Sequence, residues 1–167
     1  QSGVTLTLNS ATGTATAADY TPISGATVSF PASSAASQTV NVVIANDALD
    51  EDDETFTLTL SGLTAVGNVT LGSAVATGTI LDDDATPTLS ITSPSQNEGN
   101  AGTSVMNFTV SLSAVSGRNV SFNRATADGT ATVANNDYVA IASGSLSIPA
   151  GQTSVTIPVT INGDTVF

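Results

Sequence analysis

The sequence predicts an all-β protein of two antiparallel β-sandwiches in tandem, both incomplete. Three observations carry this reading. Thr, Ser, Val and Ala dominate the 167 residues while Leu, Lys and Glu are scarce, a balance that favours strands over helices. Apolar residues alternate with polar ones at period two in run after run, and no helical period is sustained. The chain also repeats itself. A-T-G-T-A-T-A-A-D-Y at 11–20 returns as A-D-G-T-A-T-V-A-N-N-D-Y at 127–138. D-Y-T-P-I-S-G-A-T-V-S-F-P then matches D-Y-V-A-I-A-S-G-S-L-S-I-P, and T-V-N-V-V-I-A-N-D matches T-I-P-V-T-I-N-G-D, at offsets of 116 to 118 residues.

The elements follow in order. Val4, Leu6 and Leu8 alternate with Thr, as one face of a half-buried strand should. Gly13 with its neighbours marks a tight turn rather than a phosphate loop, because no Lys and no helix follow. Val40, Val42 and Ile44 predict a further strand, and so do Phe56, Leu58 and Leu60. A-V-A-T-G-T-I leads to Ile80 and closes the first copy. The second copy opens with T-L-S-I-T, then alternates Phe108, Val110 and Leu112. Gly129 repeats the turn of Gly13, and Val155, Ile157, Val159 and Ile161 form the last run. Pro158 within that run predicts an edge strand or a bulge, since proline cannot donate to a ladder.

The two copies are out of phase. The first lacks the leading strands that the second has, and the second lacks the trailing strands that the first has. The expected domains are 1–84, without its first strands, and 85–167, without its last. Two readings stay open. The chain is an excerpt of a longer array, or its missing strands come from other copies of the chain by strand addition.

Charge and composition exclude several classes. The net charge is -12, and Arg118 and Arg124 are the only cations. Nucleic-acid partners need a basic footprint, so none is expected, and anionic membranes are disfavoured on the same ground. No apolar run approaches a membrane span, so no membrane insertion is expected in this segment. With no Cys and no His, disulfides are excluded and zinc or iron-sulfur sites lack their usual ligands. Having no Lys removes a base or nucleophile as well, and carboxylates on tip loops with few aromatics make a poor glycosidase, so no enzyme is expected and no catalytic residue is nominated. N-V-T at Asn68, N-F-T at Asn107 and N-V-S at Asn119 fit the glycosylation pattern, but chance matches are expected in so Thr- and Ser-rich a chain. Surface ion pairs are the default for both arginines, and Tyr20 and Tyr138 are expected to plug the sandwich ends.

The acids are not spread evenly. Ten of fourteen fall at three places in the first copy: Asp19, the run N-D-A-L-D-E-D-D-E at 46–54, and Asp82 to Asp84. Two strand-like runs separate each group from the next, so all three can meet at one end of a sandwich. Two carboxylates 5 Å apart repel by about 3 kcal/mol at an effective dielectric near 20. A hard cation relieves this, and calcium, taking six to eight oxygens, suits the crowd better than magnesium. An isolated acidic run would be read as a solvated loop; three converging groups favour the ion. The spacing is not that of an EF-hand.

Taken together, D-Y-T-P-I-S-G-A-T-V-S-F-P, N-D-A-L-D-E-D-D-E-T-F-T-L-T-L-S and A-T-G-T-I-L-D-D-D resemble the Calx-beta domain. N-E-G-N-A-G and A-T-A-D-G-T-A-T…N-D-Y in the second copy match the opening half of the same family. The resemblance implies immunoglobulin-like sandwiches of seven strands, with calcium held at one tip in the members that bind it. By motif it implies the ligands Asp19, Asp47, Glu51, Glu54, Asp82, Asp83 and Asp84, with the carbonyl of Leu49. Asp50, Asp52 and Asp53 match no ligand position and are expected to face solvent. Asn46 stands where the family often has an acid. In the second copy the resemblance implies Glu98, Asp137 and Asp164, with Gly163 in place of another acid, so that site is expected to be incomplete.

The functional expectation is a calcium-binding structural or adhesive repeat of a long extracellular protein or filament, partnered by neighbouring repeats. Calcium would stiffen the short joint after Asp84. The alternative is a calcium-sensing regulatory pair of a membrane transporter or receptor.

Overall fold

The computed structural model describes residues 3–32, 37–65 and 67–165. Among them there is no helix, and strands pair only in antiparallel fashion, as the alternation predicts. Contacts divide the chain into two units. One comprises 1–47 and 52–83; the other comprises 84–167 and the short segment 48–51.

The first unit contains β1 (Val4–Thr12), β2 (Ala26–Phe30), β3 (Glu54–Ala65) and β4 (Val75–Ile80) in one sheet of order β2-β1-β3-β4. The inward row of β1 supplies Leu6 and Leu8, both buried. Leu8 faces Leu60 of β3 across the ladder. Deeper packing gathers Ala15, Tyr20 and Phe56, with Val42, Leu58 and Ile80 against them. The rings of Tyr20 and Phe56 stack with centroids 4.6 Å apart. Gly78, opposite Phe56 on β4, leaves room for that ring; a Cβ there would lie 2.5 Å from Phe56 Cζ.

The second unit contains β5 (Leu89–Ile91), β6 (Thr103–Leu112), β7 (Val120–Arg124), β8 (Gly144–Ile148) and β9 (Ser154–Asn162). They form one sheet β5-β6-β9 and another β7-β8. The core lies between these sheets. Val110, Leu112, Ile148 and Ile157 are buried there, and Phe108, Val120, Phe122 and Leu146 pack against them. Pro158 sits in β9, an edge strand of the three-stranded sheet, in unbroken register opposite Asn107. Its missing donor therefore costs no ladder bond.

The repeat survives in three dimensions. In the first copy Ser10 N donates to Ile23 O and Ile23 N donates to Ser10 Oγ; in the second Thr126 N donates to Ile141 O and Ile141 N donates to Thr126 Oγ1. Tyr20 bridges Ile44, and Tyr138 bridges Ile161. Both tyrosines are buried, as expected of plugs.

One expected strand differs. The run 40–44 makes only the isolated bridge at Ile44. Its counterpart in the second copy is the nine-residue β9, which has β6 beside it over its whole length. Among the described residues no strand stands in β6's place in the first unit. The run keeps its bonds to the tyrosine turn, Thr21 N to Val43 O and Ala45 N to Asp19 O, but has no ladder to join. Alternation marks a segment able to form a strand, and a neighbour decides whether it does.

Gly78→Ala should lower the stability of the first unit by about 1–3 kcal/mol, the usual cost of overpacking a filled core. Denaturant unfolding checks this; an unchanged midpoint would mean that the Phe56 ring is free to move.

Candidate metal centre

The ends of β3 and β4 set the geometry of the acidic groups. Glu54 starts β3 and is registered against Ile80, the last residue of β4. The acids before β3 and after β4 are thereby brought to the same end of the sheet. Asp82 N donates to Asp53 Oδ1 at 3.1 Å across that end. Asp19 arrives from a separate turn, tied in by the bond from Ala45 N to Asp19 O at 2.8 Å. Strand register thus brings two of the acidic groups to one end of the sheet, and the turn before Tyr20 adds Asp19.

Asp19 has a structural task first. Its Oδ2 accepts from Thr16 N at 2.6 Å and from Thr16 Oγ1 at 2.8 Å, closing the turn before Tyr20. In the second copy Thr132 N donates to Asp137 Oδ2 at 2.7 Å in the same way. The donors of Thr16, the backbone N–H foremost, hold the Asp19 carboxyl below the ordinary carboxylate range against desolvation, with a lesser contribution from Glu54. Asp19 is therefore ionised at neutral pH and can serve as a ligand while it holds the turn.

Asp19, Glu51 and Glu54 each offer a carboxylate oxygen, and these oxygens lie within 4.8 Å of one another. All three side chains are half-buried. Two oxygens bound to one calcium at about 2.3–2.6 Å can be no more than roughly 5 Å apart. The group fits that limit, and its donors are all hard oxygens. It is the one group of three such side chains at this spacing among the described residues.

The other expected ligands are placed as follows. Asp47 and Asp83 are exposed, while Leu49, Asp82 and Asp84 are half-buried near the same acidic segments. Asp52 and Asp53 are exposed, in line with the sequence reading. In the second copy Glu98 is exposed and Asp137 and Asp164 are half-buried, and they form no group of three at this spacing among the described residues. Gly163 is packed under the Glu98 turn, where a Cβ would lie 2.9 Å from Glu98 O and 3.0 Å from Gly99 O. An acid at that position would require the turn to move.

Asp50 corrects the expectation that it faces solvent. It is only 4% exposed, and it groups with the second unit. Its Oδ2 accepts from Ser116 Oγ at 3.1 Å, and its Oδ1 accepts from Thr86 Oγ1 at 3.2 Å and forms an ion pair with Arg118 Nη2. Its carbonyl accepts from Gly117 N at 3.1 Å and from Ser116 Oγ at 3.2 Å. A buried carboxylate is tolerated only with such a full set of donors. Sequence reasoning missed this fastening because 68 residues separate Asp50 from Arg118. Gly117 also has a particular role. A Cβ there would lie 2.5 Å from Glu51 Oε1 and 2.6 Å from its Cγ, so only glycine lets Glu51 lie where it does.

Arg118 first, with Ser116 and Thr86, holds the Asp50 carboxyl below the ordinary carboxylate range. A carboxyl whose folded value is depressed favours folding above its unfolded value, and this contribution disappears as pH falls through the folded one. Asp50→Asn should therefore lower the unfolding temperature at neutral pH in chelator, and the gap from the parent should close as the solution is acidified through and below the ordinary carboxylate range. Thermal unfolding across that pH series checks it; a gap independent of pH would contradict it.

Comparison with known proteins adds the family. Among the solved structures that resemble the chain are the calcium binding domain CBD12 of CALX1.1 and CBD12 from CALX1.2. Each is 22% identical with a TM-score of 0.46. They cover 94% and 99% of this chain, which spans 62% and 64% of theirs, less than two thirds of either length. No curated protein matches. The Calx-beta domain model matches residues 1–84 and again residues 82–167, and the chain therefore belongs to the Calx-beta family, as a tandem pair of its domains.

Proposed function

We propose that this protein is a non-catalytic, calcium-binding structural repeat of a long extracellular protein or filament, partnered by neighbouring repeats of the same kind. The observation that carries the proposal is the group Asp19, Glu51 and Glu54, whose oxygens lie within the reach of one hard cation. Asp47, Asp82, Asp83, Asp84 and the carbonyl of Leu49 stand in the same acidic segments and are the further ligands we propose. The ion adds positive charge to an acidic segment in which Arg118 is paired with Asp50. Thr16 fixes the turn that presents Asp19, β3 fixes Glu54, and Gly117 makes room for Glu51. The scarcity of Lys and Glu and the abundance of Thr, Ser and Ala support an extracellular setting.

A second reading, a calcium sensor, is favoured by the neighbour of Glu51. Asp50 is fastened to Ser116 and Arg118, and Glu51 follows it directly. An ion drawing on Glu51 would pull on the same segment, so occupancy could be felt at that fastening. The readings part on stiffness alone against a response at physiological calcium changes.

Thermal unfolding in chelator, in millimolar calcium and in millimolar magnesium tests the calcium proposal. Calcium at a hundredfold its Kd adds about 2.7 kcal/mol, roughly 10–20 °C for a domain of this size. Glu51→Gln and Glu54→Gln should each remove most of that shift, and Asp52→Asn should keep it. Equal shifts in calcium and magnesium, or none, would overturn the proposal.

A further inference from the structure

The second copy carries a latch that the first lacks. Ala45 N donates to Asp19 O, and Asn162 N donates to Asp137 O in the same way, so Asn162 stands in the place of Ala45. The turn closed by these bonds is two residues longer in the second copy, Thr132 to Asp137 against Thr16 to Asp19. The longer turn contains Asn136. At φ 62° it is the one residue other than glycine with a left-handed backbone among the described residues. Asn162 Nδ2 donates to Asn136 O at 2.9 Å and to Asn136 Oδ1 at 3.3 Å. The amide of Asn162 thus ties the longer turn to the end of β9. The residue after it is Gly163, and this is the one Asn-Gly pair in the sequence.

We propose that Asn162 is a site of spontaneous deamidation, restrained by the fold, whose product releases the latch on the longer turn. Gly163 N attacks Asn162 Cγ. The N–Cγ bond forms, the Cγ–Nδ2 bond breaks, and the proton of Gly163 N leaves with Nδ2 as ammonia. Water then opens the five-membered imide at either carbonyl, giving aspartate or its β-linked isomer at 162. Water is the only co-reactant. Glycine suits the attacking position because it has no side chain to obstruct ring closure and few backbone restrictions. Three features oppose the ring in the folded protein. Gly163 N is committed to Gly102 O at 2.9 Å, the leaving amide is held by Asn136, and Gly163 lies under the Glu98 turn. The reaction therefore proceeds from a state in which the end of β9 has opened, and its rate follows the population of that state. The product cannot restore the latch. A carboxylate only accepts, so the bond to Asn136 O is lost and a negative charge is set against that carbonyl oxygen. Asp137 and Tyr138 follow Asn136 directly, so the turn that presents both is loosened.

The experiment incubates the whole 167-residue protein in mildly alkaline buffer, folded and in urea, and follows each asparagine by peptide mass mapping. Asn162 should be the first asparagine converted in urea. In the folded protein its conversion should be at least about tenfold slower, the factor set by the cost of opening. Asn162→Gln should abolish conversion at this position. Asn162→Asp, which makes the product directly, should unfold about 4–8 °C lower than the parent, the shift for one net hydrogen bond lost from a unit of this size. Should Asn162→Asp fail to fold, the two rates on the unaltered protein decide alone. No conversion of Asn162 in urea, or equal rates folded and unfolded, would overturn the proposal. So would a folded Asn162→Asp protein with the parent's unfolding temperature.

Discussion

Repulsion between carboxylates brought close together is the constraint on which the end of the first unit depends. Strand pairing leaves the chain no choice in the matter. Once Glu54 is registered with Ile80, the acids flanking β3 and β4 must share one end of the sheet. Two compensations are built from the chain itself. Thr16 gives Asp19 two donors, and the backbone of Asp82 gives one to Asp53. Neither brings positive charge. With a net charge of -12, the rest of the molecule cannot supply it in bulk either. A hard cation among Asp19, Glu51 and Glu54 completes the compensation, and the packing that holds those three in place becomes the protein's contribution to binding.

Asp50 shows a different solution to the same problem within four residues of Glu54. Its carboxylate is buried, and every donor it needs comes from side chains and backbone of the second unit. Breaking such a set leaves an unmatched charge, so the fastening resists loss of any one member more than an exposed pair would. Neighbouring residues of one acidic run therefore do unlike things. Asp50 is anchored by protein, Glu51 is directed to the metal group past Gly117, and Asp52 and Asp53 stay in solvent.

Much of the fold could be read from alternation, because a strand with one buried face must repeat at two residues. Phe56, Leu58 and Leu60 in β3 and Phe108, Val110 and Leu112 in β6 show it in their apolar residues, with Phe56, Val110 and Leu112 buried. The run at Val40 to Ile44 obeys it too and yet forms no strand, since pairing is a property of two segments and the sequence of one is silent about the other. The site divides along the same line. Asp19, Glu51 and Glu54 were accessible through the motifs of the family, whose spacing is local. Asp50 was not, because its partners Ser116 and Arg118 lie far along the chain and nothing in an acidic run distinguishes the member that is buried. Arg124 departs from the surface ion pair expected of it: it shares the parity of Val120 and Phe122, and its Nε is buried.

The account rests on calcium entering the group formed by Asp19, Glu51 and Glu54. Calorimetric titration of metal-stripped protein with calcium tests this most directly. The account predicts saturable binding of at least one ion per chain, abolished or weakened at least tenfold when Glu51 and Glu54 are both changed to glutamine. Absence of saturable heat up to millimolar calcium, or binding untouched by the double change, would contradict it.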